Sequence, residues 1–411
     1  IQIVDNYSSS WGHINVDHII QSQINYQQYY KSKNCLDREC AIGAAMNAIY
    51  QAVPKAESDP NRPVFHFRPP SQWMNDWNGP IYYDGWYHIF YQHNPYGDEW
   101  GNMHWGHARS RDLVHWENLP VALWPSKSLG EKYVFSGSAI IDDNNVPMAF
   151  YTSIGSGRPD QVWAATSNDA DLIEWQKHPD NPIMTEDIHG SHSIELWRDP
   201  FLFTHDGASY MIQGMDMDGE AIVALYSATT NSLLDWQYLG NIFTHPDSEK
   251  WGIQCPLFVG LGEKWLLSHF SNDYYLGTFD FDNFEFDIEK TGYLDYKGDL
   301  RTTNAMVDVN GSPIVMGWIK NFRESMGWNG CLALPRILKL EQNGTVTQTP
   351  VAALKTLRST HYSDANTIIA NETQVINGIA GDALELVAEF EPSTAEEFGL
   401  KLRMSDEGSA G

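Results

Sequence analysis

The sequence predicts an all-β protein whose middle part closes into a five-bladed β-propeller. Three observations carry that expectation. Short runs rich in aromatic and β-branched residues, such as IYYDGWYHIFYQ, PMAFYTS, EAIVALYS and YYLGTFDF, are punctuated by Asn, Asp, Gly and Pro, as strands and their turns are. One pattern recurs as Asp112-Leu-Val-His-Trp116, Asp171-Leu-Ile-Glu-Trp175 and Ser232-Leu-Leu-Asp-Trp236, its tryptophans 59 and 61 positions apart, with a weaker copy starting at Phe281. A period near 60 holds one four-stranded blade with its loops, and residues 63–345 hold five such periods.

The flanking segments differ in texture. Residues 1–62 are polar and rich in Gln, Asn and Tyr, then turn to CAIGAAMNAIYQAV, whose small and apolar residues fall at helical spacing. They read as a partly helical N-terminal extension packed on the main domain. Residues 346–411 include a stretch from TIIANETQV to GLKLRMS that alternates apolar and polar with period two, as a half-buried antiparallel sheet does. This is expected to be the start of a C-terminal β-sandwich. It stops at DEGSAG, short of the roughly 100 residues such a sandwich needs, so the sandwich is expected to be incomplete.

Composition narrows the function. The net charge is −27, from 53 acidic and 26 basic residues, which argues against nucleic acids and anionic membranes as partners. No run of about 18 apolar residues is present, so no membrane-spanning helix is expected. Of the four cysteines, Cys35 and Cys40 are spaced either for a short local disulfide or as two free thiols on a helix. No pair has zinc-ligand spacing, so no metal is expected. Sequons at Asn6, Asn343 and Asn371, and a start at Ile1 with no leader pattern, lean toward a secreted, processed protein; a vacuole or periplasm fits as well. The 16 Trp and 20 Tyr suit sheet packing, and they also suit stacking on the C–H faces of sugar rings.

Spacing singles out carboxylates. The first strand of every propeller blade lines one axial channel, so acids at the same phase of different blades converge. Asp76 lies 40 residues before Trp116, and Asp199 lies 37 before Trp236. Position 254 follows Asp199 by 55 residues, about one further blade. Both aspartates also sit in good turn chemistry, N-D-W-N-G and R-D-P, so spacing alone leaves a turn role open.

The residues around these positions resemble a known family. Trp73-Met-Asn-Asp-Trp-Asn-Gly79 is similar to the W-M-N-D-P-N-G motif of glycoside hydrolase family 32, the invertases, inulinases, levanases and related fructosyltransferases. Trp197-Arg-Asp-Pro200 resembles its R-D-P motif, and Trp251-Gly-Ile-Gln-Cys-Pro256 its E-C-P motif. Phe90-Tyr-Gln-His-Asn-Pro95, Glu99-Trp-Gly101, His104-Trp-Gly-His-Ala108, Phe135-Ser-Gly-Ser138 and Gly327-Trp-Asn-Gly330 follow in the family's order. The resemblance spans about residues 63–400. It implies a retaining β-fructofuranosidase that hydrolyses or transfers terminal β-D-fructofuranosyl units of sucrose or fructans without a cofactor. The sequence leaves the oligomeric state, a homodimer included, open. Asp76 would be the nucleophile. Asp199 would stabilise the transition state, held ionised by the neighbouring Arg198. Asn75, Gln92, Trp100, Phe135, Ser136, Arg198 and Trp318 would bind the terminal fructose.

Three departures stand out. Gln254 occupies the position where the family has its acid/base Glu, and an amide cannot do that proton transfer. Three readings follow: a Glu replaced by its isostere to trap substrate, a natural loss leaving a sugar-binding protein, or an acid placed elsewhere, such as Glu195. Trp77 stands where Pro is usual and is expected to offer an aromatic face near the pocket rim. Arg301, in Gly298-Asp-Leu-Arg-Thr-Thr303, replaces an aromatic residue and is expected on the leaving-group side.

Overall fold

The chain is seen in a computed structural model that describes residues 37–247, 250–296, 298–308, 311–363, 381, 383–391 and 394–400. The expected helix is present as α1 (Asp37–Glu57). Its apolar face, Ile42, Ala45, Met46 and Ile49, is buried against Val121 and Trp124. Cys40, on this helix, is disulfide-bonded. Cys35 and most of the 1–62 extension lie outside the described residues.

Five antiparallel meanders follow. Blade one is β1 (Gln72–Tyr83), β2 (Trp86–Asn94), β3 (His104–Ser110) and β4 (Trp116–Leu123). Blade two is β5 (Glu131–Ile141), β6 (Pro147–Gly155), β7 (Gln161–Thr166) and β8 (Gln176–Lys177). Blade three is β9 (Ile194–His205), β10 (Ala208–Met217), β11 (Glu220–Ala228) and β12 (Trp236–Thr244). Blade four is β13 (Leu257–Leu261), β14 (Lys264–Ser268), β15 (Asp273–Asp280) and β16 (Glu285–Tyr293). Blade five is β17 (Leu300–Val307), β18 (Pro313–Ile319), β21 (Arg336–Leu340) and β22 (Val346–Pro350), with β19 (Trp328–Asn329) and β20 (Cys331–Leu332) in its β18–β21 connection. The first strands touch in a ring: β1 meets β5 and β17, β5 meets β9, and β13 meets β9 and β17. The ring closes where β19 leaves blade five and pairs in parallel with β1, Gln72 opposite Trp328.

The recurring pattern maps onto one place in the blade, the turn from third to fourth strand. Leu113, Leu172 and Leu233 adopt φ of 67, 53 and 58°, and Phe284 in the weaker copy adopts 58°. A left-handed leucine is costly, and the turn offsets it in two ways. Each leucine is buried, and in blades two and three the indole Nε1 of Trp175 and Trp236 donates to the carbonyl of Leu172 and Leu233 (2.7 and 2.9 Å). These tryptophans are packing residues, as a repeated position suggests.

Two expectations about the C-terminus change. Blade five takes β22 as its fourth strand, so the propeller runs past the expected boundary at 345. A second unit begins at Thr356. Its described residues carry no strand, so the expected sandwich is not seen there; residues 364–380, part of the alternating stretch, lie outside the described residues.

Candidate active site

At the ring's centre, the pairing of the first strands slips on four blades. The β1–β2 register shifts between Met74 and Trp77, bracketing Asp76. The β5–β6 register shifts between Val134 and Gly137, bracketing Phe135 and Ser136. On β9 the slip falls between Arg198 and Phe201, around Asp199, and on β17 between Arg301 and Asn304, around Thr302. A bulge re-aims side chains that a regular strand would point into a sheet face. Two glycines permit the close approaches this requires. A Cβ on Gly137 would lie 2.0 Å from the Phe150 carbonyl oxygen. One on Gly214 would lie 2.1 Å from that of Ile253, so only glycine lets the 253–254 segment lie against β10.

Asp76, Asp199 and Cys255 meet here. Ser136 Oγ donates to Asp76 Oδ2 at 2.6 Å. The backbone N–H of Cys255 donates to Asp199 Oδ2 at 2.9 Å. Its thiol lies 3.3 Å from that same oxygen and 3.5 Å from Asp76 Oδ2, bridging the two carboxylates. The backbone N–H of Asp199 donates to Thr152 Oγ1 at 2.8 Å. Asp199, Cys255 and Thr302 all carry left-handed backbone, at φ of 61, 48 and 49°. Burial pushes the Cys255 thiol well above its ordinary range, and the two aspartates push further, so it stays an S–H donor.

Burial also pushes the Asp199 carboxyl up, to about 6. Arg198 pulls it down and Asp76 pushes it up again. Arg198 thus favours the ionised form, as expected, but desolvation outweighs it in the net shift. The Arg198 guanidinium is divided between Asp160, 3.8 Å away, and the Phe135 ring, 5.5 Å away. Its Nε is buried with no hydrogen-bond partner among the described residues.

The other expected residues fall as follows. Asn75 is buried and accepts from Trp73 Nε1 at 2.6 Å, and the Trp73 ring lies 5.7 Å from that of Trp318. Gln92 is buried, with its amide donating to the Val134 carbonyl at 2.9 Å. Trp100 is exposed and meets Tyr133 and Phe135 edge-on. Trp318 stands across from Arg301 in the β17–β18 register, and its Nε1 is buried without a partner among the described residues. Arg301 lies over the Phe270 ring at 5.7 Å. Gln254 is half-buried, its carbonyl accepts from Phe270 N–H at 3.0 Å, and its side chain makes no hydrogen bond among the described residues. Glu195, an alternative acid, is exposed. Trp77 is the clear misplacement. Its side chain is 1% exposed, packed in the blade-one core with Met74, Ile89 and Met316, and only its carbonyl serves the centre, accepting from Asn304 Nδ2 at 2.9 Å. Proline lacks the bulk to fill that core, which gives the departure a packing reason.

Sequence reasoning passed over Cys255, Thr302, Asn304 and Asp160. Cys255 carried a signal, being quoted beside Gln254. Asp160 carried none, since its carboxyl reaches Arg198 only through the β6–β7 connection.

The comparisons agree with this architecture. The model described as glycosyl hydrolases family 32 N-terminal domain matches residues 66–350. The chain belongs to that family. It is 33% identical over 392 residues to a levanase of Bacillus subtilis, covering 84% of this chain and 55% of the levanase. It is 31% identical to a sucrose-6-phosphate hydrolase of Escherichia coli, covering 88% of this chain and 79% of that protein. Among solved structures, a family 32 β-fructofuranosidase of Bombyx mori superposes with a TM-score of 0.70 at 29% identity, over 79% of this chain and 72% of the other. A fructan 1-exohydrolase of Cichorium intybus, a Glu-to-Gln variant in complex with 1-kestose, gives 0.66 at 29%, over 72% and 62%. The chain thus spans little more than half of the levanase it matches.

Proposed function

We propose that the chain carries the catalytic centre of a retaining β-fructofuranosidase acting on terminal fructosyl units of sucrose or fructans. The observation that carries this reading is the convergence of Asp76 and Asp199, from blades one and three, on Cys255, the residue directly after Gln254. Asp76 is the nucleophile, aimed by Ser136. Asp199 takes hydrogen bonds from the sugar's hydroxyls and steadies the charge that develops at the anomeric carbon. Arg198, whose buried Nε has no partner among the described residues, and Asn75 and Trp318 complete the fructose pocket. The donor in the reaction should come from position 254. With Gln254 there, the chain binds its substrate far better than it turns it over.

The relatives support the substrate class: levanase, sucrose-6-phosphate hydrolase and β-fructofuranosidase are all named for fructosyl bonds. The disulfide on Cys40 favours an oxidising compartment, in keeping with a secreted protein. A second reading, a fructan-binding protein without turnover, is favoured by Gln254 alone.

One experiment separates the two. Gln254→Glu is assayed for fructose release from sucrose, inulin and levan. A gain of about 10²–10⁴-fold is expected, the usual worth of general acid–base catalysis, and Asp76→Ala in that background should remove it. No gain would leave the binding protein; a gain that survives Asp76→Ala would refute the nucleophile.

A further inference from the structure

The first strands begin at the pocket, so in every blade the second-to-third connection and the end of the fourth strand return to that same end. Single exposed apolar residues are ordinary on any surface; a clustered set is not. Among the described residues before Thr356, six aromatic side chains are exposed: Tyr96, Trp100, Trp251, Phe270, Tyr293 and Tyr296. All six lie at the pocket end. Tyr96 and Trp100 belong to the β2–β3 connection of blade one; Phe270 and Tyr293 belong to blade four, and Trp251 and Tyr296 to the links that enter and leave it.

The set around blade four is strung together from the centre outward. Phe270 donates its N–H to the Gln254 carbonyl (3.0 Å) and accepts at its own carbonyl from Thr302 N–H (3.4 Å), which fixes the ring beside position 254. Arg301 covers one side of it, 5.7 Å away. Trp251, 55% exposed, is tied to the same connection through its neighbour Lys250, whose Nζ donates to Ser271 Oγ at 3.3 Å. Tyr293 pairs with Asp273 at the edge of that connection, and its ring lies 6.3 Å from that of Tyr296. Tyr296 is 91% exposed.

Resting on the reading of position 254 as the leaving-group side, we infer that Phe270, Trp251, Tyr293 and Tyr296 form a stacking track for sugar units beyond the scissile bond, so that the favoured substrate is a fructo-oligosaccharide of three or more units. Flat rings with a polar tip are suited to this, since the face covers the sugar's C–H groups while Tyr O–H and Trp N–H reach its hydroxyls. Sucrose places one unit beyond the bond and reaches only the Phe270 end. Longer chains reach Trp251 and the tyrosines.

The protein as it stands, with Gln254, is titrated calorimetrically with sucrose and with inulin-type tri- and pentasaccharides. Affinity should rise about tenfold from disaccharide to pentasaccharide, and Trp251→Ala with Tyr293→Ala should remove most of that rise. Equal affinity at every length overturns the track, as does a length effect that persists in the double variant. Dimerisation through this face, seen by light scattering as a concentration-dependent mass that the double variant abolishes, without a length effect, also overturns it. If sucrose binds but length is immaterial, only the track falls. If no sugar binds, the catalytic reading falls with it.

Discussion

At the far end of the blades, Leu113, Leu172, Leu233 and Phe284 hold φ between 53 and 67°; at the pocket end, Asp199, Cys255 and Thr302 hold 61, 48 and 49°. The same uncommon backbone serves different ends. At the far end it repeats from blade to blade, the side chain is apolar, and a tryptophan indole or an aspartate satisfies the turn, so the cost is met locally. At the pocket end each instance occurs once, the side chain is polar, and it faces other polar groups across the axis. Strain there is met by the ring as a whole, and it aims groups at a common point. Strain that repeats is architecture; strain that occurs once, beside a carboxylate, marks the site.

The sharpest way to break this comparison is at the far end. Trp175 is fully buried, meets Phe90 edge-on at 5.3 Å and accepts at its carbonyl from Arg38 Nε. Trp175→Ala should cost about 3–5 kcal/mol, the usual range for a buried aromatic, read as a lower midpoint in urea unfolding. The fraction that remains folded should bind sugar with unchanged affinity. If affinity fell while the midpoint held, the two ends would be coupled and the division above would be wrong.

At the pocket end the sign should reverse. The Asp199 carboxyl is raised from 3.8 to about 6 by burial, so the native state holds its proton more tightly than the unfolded chain does. Its contribution is therefore fully present below about pH 4 and is lost as pH rises through 6, after which the buried charge is a standing cost. Asn mimics the protonated form. Asp199→Asn should stabilise the fold by about 1–3 kcal/mol at pH 7.5, with the gain vanishing by pH 4, while abolishing the activity that Gln254→Glu confers. A variant less stable than the parent at pH 7.5 would show that the hydrogen bond from Cys255 outweighs desolvation.

How much of this was legible in the sequence divides along the same line. The far end was: the period of the D-L-x-x-W turns gave the blade count, because each copy obeys the same local chemistry. The positions of Asp76 and Asp199 were legible through phase, since equal distance from the repeat tryptophan puts residues at equal depth in the channel. What their side chains do was not. Alternation along a strand predicts one face, and the slips at Asp76, Ser136, Asp199 and Thr302 break that alternation. Trp77 shows the consequence. Next to the expected nucleophile it reads as a rim residue, yet the bulge turns it into the core of blade one. The net effect on Asp199 was hidden for another reason, because a cation next door in sequence says nothing of the depth of burial that outweighs it.

The smallest test asks whether the repeated turn is as self-contained as it looks. Asp112 Oδ1 accepts the backbone N–H groups of Val114 and His115 at 2.9 and 2.8 Å, and Oδ2 lies 2.7 Å from His115 Nδ1. In blade two the same work is done by Asp169, which accepts from Ile173 and Glu174 N–H, and not by Asp171 of the recurring pattern. Although burial opposes it, these hydrogen bonds from His115 and Val114 hold the Asp112 carboxyl below its ordinary value of 3.8. A lowered carboxyl contributes above that value and loses its contribution as pH falls through its own, lower one. Asp112→Ala should thus cost about 1 kcal/mol at pH 7, as a lost cap does, and progressively less below pH 4. Because the turn is remote from the pocket, sugar affinity should not move. A shift in affinity from so small and distant a change would mean that strain at the two ends is shared through the strands of blade one.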